Sequence, residues 1–422
     1  MPGWRAKAAC AAAAALTAAC GHSAPPAPPA SAPTGLAPVV VTVPAGLDTA
    51  PFDTPRRALV PPGWTMSVWA RVPRVRLAAW APDGALLVSV PAAGQVLRLA
   101  PGQAQPQSTV LLDGLDQPHG LAFDRGTLYV AESDQVDAFD YHGTRADGPR
   151  VVADGLPDAR SPDLGGAYAH ALKSVAVGRD GAVYFSIGST GNITADDRTA
   201  QPPRATIMRV PPGGGPAAPF ATGVRNGTGL ATAPDGAVWT AVNNRDQVAD
   251  PRPGPSYSKV TEYVNDHPPE SVARLTPGRE LGWPYCNPDA DGRPYARDVQ
   301  TNADGSNLDC AALPPVEQTL GAHSAPLGLS FTEGSLPAPY DSGALVGVHG
   351  SWNRTPPRAP EVSFFAWRAG SLGPQQTLVG GFQSQDGTRW GRPVAAVAGP
   401  DGAVYITDDY AGAVYRLAPP GR

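Results

Sequence analysis

The sequence predicts an all-β chain folded as a six-bladed β-propeller of four-stranded antiparallel blades. Three observations carry that expectation. An Asp-Gly turn between two apolar runs, the strongest short hairpin signal, recurs along the chain. Its copies lie about 40 to 55 residues apart, with one gap of about 160, a period suited to four short strands per unit. Nothing between the copies resembles a linker, which speaks against an array of β-sandwiches. The plentiful Trp, Gly and Pro favour turns and strands over helices.

From the N-terminus, Arg5 and Lys7 precede an Ala-rich apolar run that ends at Thr17-Ala18-Ala19-Cys20. Positive charge, a short apolar run and small residues before a Cys make residues 1–20 a secretory signal, too short to span a bilayer by itself. Its end resembles a bacterial lipobox with Cys20 as the lipidated residue, although Leu16 sits one position further back than usual. A cleaved, unlipidated signal is the alternative. Residues 21–44 are rich in Pro and Ala, cannot bury a core, and read as an extended tether. The propeller domain is expected over residues 45–422. Its roughly 375 residues are long for an ordinary domain, but propellers use that length as one unit. The chain holds 32 basic and 37 acidic residues, and losing Arg5 and Lys7 moves the net charge from −5 to −7. There is no basic stripe for nucleic acid.

The hairpins follow in order. Trp80-Ala-Pro-Asp83-Gly84 leads into Ala-Leu-Leu-Val88; Leu121 to Val130 turns at Gly126; Val175 to Phe185 turns at Asp180-Gly181. Leu230 to Trp239 turns at Asp235-Gly236, and Val397 to Ile406 at Asp401-Gly402. A second motif, seen as Gly94 to Leu99, Ala205 to Val210 and Gly412 to Leu417, reads as the next strand of the same sheet. The long gap holds a degenerate unit, Leu327 to Gly334 with Gly343 to Val348, which brings the count to six. Two long insertions, Gln247 to Leu281 and Gly282 to Pro315, stand out; such connections gather on one face of a propeller and carry its site.

Cys286 and Cys310 are the cysteines of the folded part, and in an exported protein two thiols more often pair than stay free. No CxxCH haem-attachment sequence is present. Asn287-Pro-Asp289-Ala-Asp291-Gly292 and Asp304-Gly-Ser-Asn307-Leu-Asp309 are Asx-rich but lack EF-hand spacing and its final Glu. Plain turns are expected, with a structural Ca²⁺ as the alternative.

Several short motifs then point one way. His170-Ala-Leu-Lys173 precedes a Gly-x-Asp-Gly hairpin, the His standing eight residues before Gly178. Gly223-Val-Arg225-Asn226-Gly-Thr-Gly229-Leu230 and Leu281-Gly282-Trp283-Pro284 follow. Ala322-His323-Ser-Ala-Pro326, His349-Gly-Ser-Trp352-Asn353-Arg354 and Gly391-Arg392-Pro393 complete the set. In number and order these resemble the soluble pyrroloquinoline quinone (PQQ)-dependent sugar dehydrogenases, and the last three resemble their sorbosone dehydrogenase-like branch most. The resemblance runs from about residue 60 to the end.

That resemblance implies an oxidoreductase that removes hydride from a sugar or related alcohol or aldehyde and delivers it to PQQ. His170 would be the base for the hydroxyl proton, a task that suits an imidazole. Arg225, with Asn226 beside it, would meet the quinone oxygens where charge develops. Lys173, His349, Arg354, Arg389 and Arg392 are candidates for holding the cofactor carboxylates. Ca²⁺ is implied on backbone carbonyls, here those of Asn244 and Arg245. Gln117, His119 and His323 stand at blade entries and are placed near substrate or cofactor. Each has a plainer alternative: a loop-bonded His, a salt-bridged Arg, a solvated rim charge. The sequence also departs from the family, with Ala169 where an Asp often precedes the base and Ala167 after Gly165-Gly166. Electrons would leave to a quinone or soluble carrier. The product would be exported, periplasmic or at the cell surface, anchored through Cys20. Two other readings stay open: a non-catalytic binding propeller at the cell surface, and a lactonase-like hydrolase, for which the carboxylate ligands at blade entries are not apparent.

Overall fold

The structure is a computed structural model, and it describes residues 35–103, 105–162, 164, 168, 170–251, 261–289, 295–384 and 386–421. Cys20, Ala167, Ala169 and Asp291 therefore lie outside the described residues, as does most of the expected tether.

Six antiparallel sheets stand around one axis. From the inner strand outward, the first blade is Ala78–Trp80, Leu86–Val90, Gln95–Ala100 and Gln107–Leu112. The second is Gly120–Asp124, Thr127–Ala131, Val136–Tyr141 and Ala146–Ala153. The third is Val175–Val177, Val183–Ile187, Thr206–Val210 and Ala218–Thr222, extended by a parallel pair at Arg279–Glu280. The fourth is Gly229–Thr232, Val238–Val242, Glu270–Arg274 and Gln318–Leu320, and the fifth Pro326–Phe331, Gly343–Val348, Glu361–Arg368 and Ser371–Val379. The sixth joins Pro393–Ala398, Val404–Asp408 and Ala413–Ala418 to Thr65–Arg71 from the start of the domain. The register runs from Thr65 opposite Ala418 to Arg71 opposite Ala413, so the two ends of the domain close the ring by backbone hydrogen bonds. Neighbouring inner strands touch all the way round.

The Asp-Gly repeat works as the sequence implies. Asp83, Asp180, Asp235 and Asp401 each accept a hydrogen bond from the backbone N–H two residues on, while the glycine after each takes a φ of +78° to +87°. The same carboxylates meet an arginine of the third strand: Arg98–Asp83 2.6 Å, Arg209–Asp180 3.1 Å, Arg274–Asp235 3.1 Å and Arg416–Asp401 2.8 Å. The arginine in the recurrent second motif is thus the partner of the turn aspartate in its own blade. Six apolar clusters lie between successive blades, which is why no blade could stand alone. At the axis, packing is tight enough to require glycine. A Cβ on Gly328 would come within 2.6 Å of the Ala395 Cβ on the next inner strand.

Three details differ from the sequence expectation or refine it. The first strand, Ala37–Val40, pairs with Arg57–Val60, so ordered sheet begins inside the stretch read as tether. The expected insertion Gln247 to Leu281 contains Glu270–Arg274, the third strand of the fourth blade. The insertions therefore lie on either side of that strand. The second carries the Cys286–Cys310 disulfide, with Cα atoms 5.6 Å apart, buried beside Tyr295. Asp304 and Asp309 accept from the backbone N–H groups of Ser306 and Ala311, the geometry of plain turns.

Candidate active site

The inner strands start on one face, and the residues just ahead of them crowd round the axis. Arg76 precedes the first blade, His119 the second, Ser174 the third, Thr228 the fourth and Arg392 the sixth. A cavity of about 560 Å³ opens there, lined in part by Arg74, Arg76, Gln117, Tyr168, Arg392 and Asp409. Two guanidinium groups face one carboxylate. Asp409 receives Arg76 Nη1 at 2.7 Å and Arg392 Nε and Nη2 at 2.9 and 3.0 Å, with His349 Nε2 3.5 Å away. Arg389 stands beside this group; it donates to Gln383 Oε1 at 2.5 Å and to the Ser351 carbonyl, and its charge helps push the buried His349 imidazole well below its ordinary pKa. Desolvation is the larger cause there. Arg76 Nε, His119 Nε2 and His349 Nε2 are buried without a hydrogen-bond partner. His119 Nδ1 donates to the Lys173 carbonyl, so its Nε2 is a lone pair; Arg76 Nε is an orphaned donor, and such a donor is costly unless an anion is bound.

A second group of expected site residues stands on the third and fourth blades; Tyr168, Ala171 and Leu172, which flank His170, line the cavity, while His170 and Arg225 themselves are not among its lining residues. Gly188, just past Val183–Ile187, leaves room for His170; a Cβ there would lie 2.6 Å from the His170 Cβ and 3.1 Å from Asn226 Oδ1. His170 Nδ1 lies 2.8 Å from the Ser189 carbonyl, an acceptor only, so Nδ1 carries the proton and Nε2 the lone pair. Burial, and next the charge of Arg225, lower its pKa to about 3. Negative charge brought into the site would offset the Arg225 contribution and raise it.

Arg225 is almost fully buried and makes no salt bridge among the described residues. Its Nη1 donates to the carbonyls of Asn243 at 3.1 Å and Asn244 at 2.9 Å; Nε and Nη2 donate to Asn192 O at 3.4 Å and Asn192 Oδ1 at 3.2 Å. Four of its five N–H groups are used on neutral oxygens. Desolvation lowers its pKa, and the nearby Asp246 and Glu270 work against that.

Other expected site residues do different work. Lys173, expected among the groups holding carboxylates, is fully buried, and its Nζ donates to the carbonyls of Ser133, Pro157 and Ala171. All three N–H groups are spent tying loops together, so it is not available to a ligand. Arg354 is likewise turned elsewhere: it donates to the Asn265 carbonyl at 3.0 Å and to Asp266 at 2.9 Å, pinning the helix Thr261–Asp266 of the first insertion. His323 faces acceptors on both ring nitrogens, Asp246 Oδ1 at 3.2 Å and the Val264 carbonyl at 2.6 Å, and so ties to the same insertion, with both contacts satisfied by a donor only when the ring is protonated. Gln117 lines the cavity while its Oε1 accepts from Ser133. His119 uses Nδ1 on the Lys173 carbonyl at 3.1 Å.

The residues fit an anionic cofactor better than the implied metal. Two or more carboxylates would find Arg76, with its unpaired Nε, and Arg392. The Asn244 carbonyl, by contrast, is turned onto the Arg225 guanidinium. A Ca²⁺ ligated by the Asn244 carbonyl would sit against a guanidinium, which does not fit, so no step is assigned to it. Among the described residues, one group of three carboxylates lies close enough to share an ion, Asp116, Asp134 and Asp158, and Arg160 bridges all three.

Sequence reasoning passed over Arg76, Asp409, Asn192 and Asp246. Arg76 stands just ahead of an inner strand as Arg392 does, so superposing the blades would have found it; Asp409 follows the second strand of the sixth blade.

The sequence model described as TrAA12-like matches residues 58–419. An uncharacterized protein of Borreliella burgdorferi is 27% identical over 201 residues, 47% of this chain and 48% of its own length, so the chain spans about half of that curated relative. Among solved structures, the holo form of the pyranose dehydrogenase PQQ domain from Coprinopsis cinerea is 19% identical; the match covers 90% of this chain and all of the other, with a TM-score of 0.74. A calcium structure of a Trichoderma reesei carbohydrate-active enzyme of family AA12 is 20% identical, with coverages of 85% and 96% and a TM-score of 0.69. The PQQ-bound aldose sugar dehydrogenase of Streptomyces coelicolor is 15% identical, with coverages of 85% and 99% and a TM-score of 0.54. At these identities, what is shared is the propeller fold.

Proposed function

The chain belongs to the TrAA12-like family, and from that membership and the site we propose a PQQ-binding oxidoreductase that oxidises a sugar or a related alcohol or aldehyde. The observation that carries the proposal is the cavity at the propeller axis, whose lining residues include three arginines, Arg74, Arg76 and Arg392, and one carboxylate, Asp409. Such a surplus suits a small polyanion. PQQ, when bound, supplies a quinone that accepts hydride.

The protein's own contributions follow from the geometry. Arg76 and Arg392, with Arg389 and His349 beside them, would hold the carboxylates by charge-assisted hydrogen bonds. Arg225 brings a positive charge with no carboxylate in contact, and one N–H without an acceptor, among the described residues, the type of preorganised donor that stabilises developing negative charge. Asn226 stands next to His170 across Gly188. His170, fixed as the Nδ1–H tautomer by Ser189, would take the hydroxyl proton of the substrate on Nε2. Its low pKa keeps it neutral and able to accept at neutral pH, and anionic charge bound opposite Arg225 would bring its basicity closer to the useful range.

Electrons would then leave to an external quinone or soluble carrier. The proposal includes export and an anchor at Cys20, so that the site would work in the periplasm or at the cell surface. Dye reduction by purified protein mixed with PQQ, with and without Ca²⁺, over a panel of aldoses and sugar aldehydes tests the activity. Turnover that survives unchanged in His170→Ala would remove His170 from its role.

A further inference from the structure

We infer that Asn192 is the positioning residue that aims Arg225 at the cofactor. The inference rests on the reading of Arg225 given above. Asn192 lies in the loop after the second strand of the third blade, and nearly all its polar atoms are used. Its Oδ1 accepts Arg225 Nη2 at 3.2 Å and the Asp246 N–H at 2.8 Å. Its carbonyl accepts Arg225 Nε at 3.4 Å and Trp283 Nε1 at 3.0 Å. Its Nδ2 donates to the Asp246 carbonyl at 2.9 Å. One residue thus grips the whole Nε–Nη2 edge of the guanidinium.

Asn192 is itself held from three sides. The Asp246 carboxylate is fixed by His323 at 3.2 Å and Asn353 at 3.1 Å, both from the fifth-blade side of the ring. Trp283 belongs to the second insertion. The orientation of Arg225 is therefore set by segments far apart in the chain and gathered by one amide. That amide is neutral. An Asp in its place would also accept from Arg225, but it would cancel the charge that the site keeps free of carboxylate contact. This explains why an Asn stands where a salt bridge would otherwise be the ordinary way to hold a buried arginine.

Full-length protein loaded with PQQ tests this. Asn192→Ala is expected to lower kcat at least about tenfold, because small misplacements of a positioned group are costly in rate. The KM for sugar should stay within about twofold, since the loss falls on the transition state and not on ground-state binding. PQQ should still bind, with a shifted absorption spectrum. Asn192→Asp is nearly isosteric and trades the Nδ2 bond to the Asp246 carbonyl for an ion pair with Arg225; a Tm showing that it still folds guards against a folding defect, and it is expected to lose at least about tenfold in kcat, as a counter-charge cancels a transition-state donor. Parental kcat and an unshifted spectrum in either variant overturn the inference. Arg225→Ala separates the two levels. If it too matches the parent in kcat and spectrum, the reading of Arg225 has failed. If it is impaired while both Asn192 variants match the parent, Asn192 alone has been wrongly assigned.

Discussion

Gly188→Ala puts a single methyl group between the two residues that the proposed chemistry needs most. The new Cβ would lie 2.6 Å from the His170 Cβ, 2.8 Å from the His170 carbonyl and 3.1 Å from Asn226 Oδ1. Carbon atoms in contact prefer about 3.5–4.0 Å, so His170 must retreat by about 1 Å. It cannot do so freely, because its Nδ1 is bonded to the Ser189 carbonyl one residue along from the new methyl, and the Tyr168 hydroxyl ties down the Gly188 carbonyl at 2.8 Å. Overpacking of this kind costs about 1–3 kcal/mol, which should appear as a Tm lowered by a few degrees in a protein that still folds. A displacement of about 1 Å at a reacting group costs on the order of a hundredfold in rate. The expected outcome is thus a large fall in kcat for dye-coupled oxidation with a small fall in Tm and PQQ binding largely kept. A variant with the lowered Tm and the parental kcat would refute the placement of His170 at the chemistry.

Three further outcomes follow. Arg76→Gln should weaken PQQ binding, since a hydrogen bond to a charged group is worth about 1.5–3 kcal/mol, on the order of ten- to a hundredfold in Kd, which calorimetric titration reads directly. Replacing Cys286 and Cys310 with Ala opens a link between residues 24 apart; loop-closure entropy puts its contribution at about 3 kcal/mol, checked by thermal unfolding of the variant under non-reducing conditions. For His323, burial pulls the pKa down, but Asp246 and the Val264 carbonyl outweigh that and raise it in the folded state. A base with a raised folded pKa stabilises fully below its unfolded value, about 6.5, and loses that contribution as pH rises through the folded one. The Tm of the parent should therefore fall towards that of His323→Gln as pH is taken from about 6 to above the folded pKa, and a constant difference between the two would contradict the clamp.

What was legible in the sequence was what local chemistry decides. Asp83-Gly84, Asp180-Gly181, Asp235-Gly236 and Asp401-Gly402 form their turns from their own side chains and backbones, so the blades could be counted before any contact was known. The third strand of the fourth blade, Glu270–Arg274, carries no such turn, and its pairing with Trp239 to Val242 spans an insertion; it was read as part of that insertion. His170 could be picked out by its spacing to a hairpin. The fate of Lys173 could not, because the carbonyls of Ser133, Pro157 and Ala171 that capture it come from separate loops. The same holds for Asn192, whose partners Arg225, Asp246 and Trp283 are joined only by the closed ring.

The most direct test of the account is a calorimetric titration of PQQ into the purified full-length apo-protein. The cationic cavity predicts one PQQ per chain with sub-micromolar affinity, weakened by added salt and by Arg392→Ala. An absence of binding at micromolar concentrations, or binding indifferent to both salt and Arg392, would contradict it.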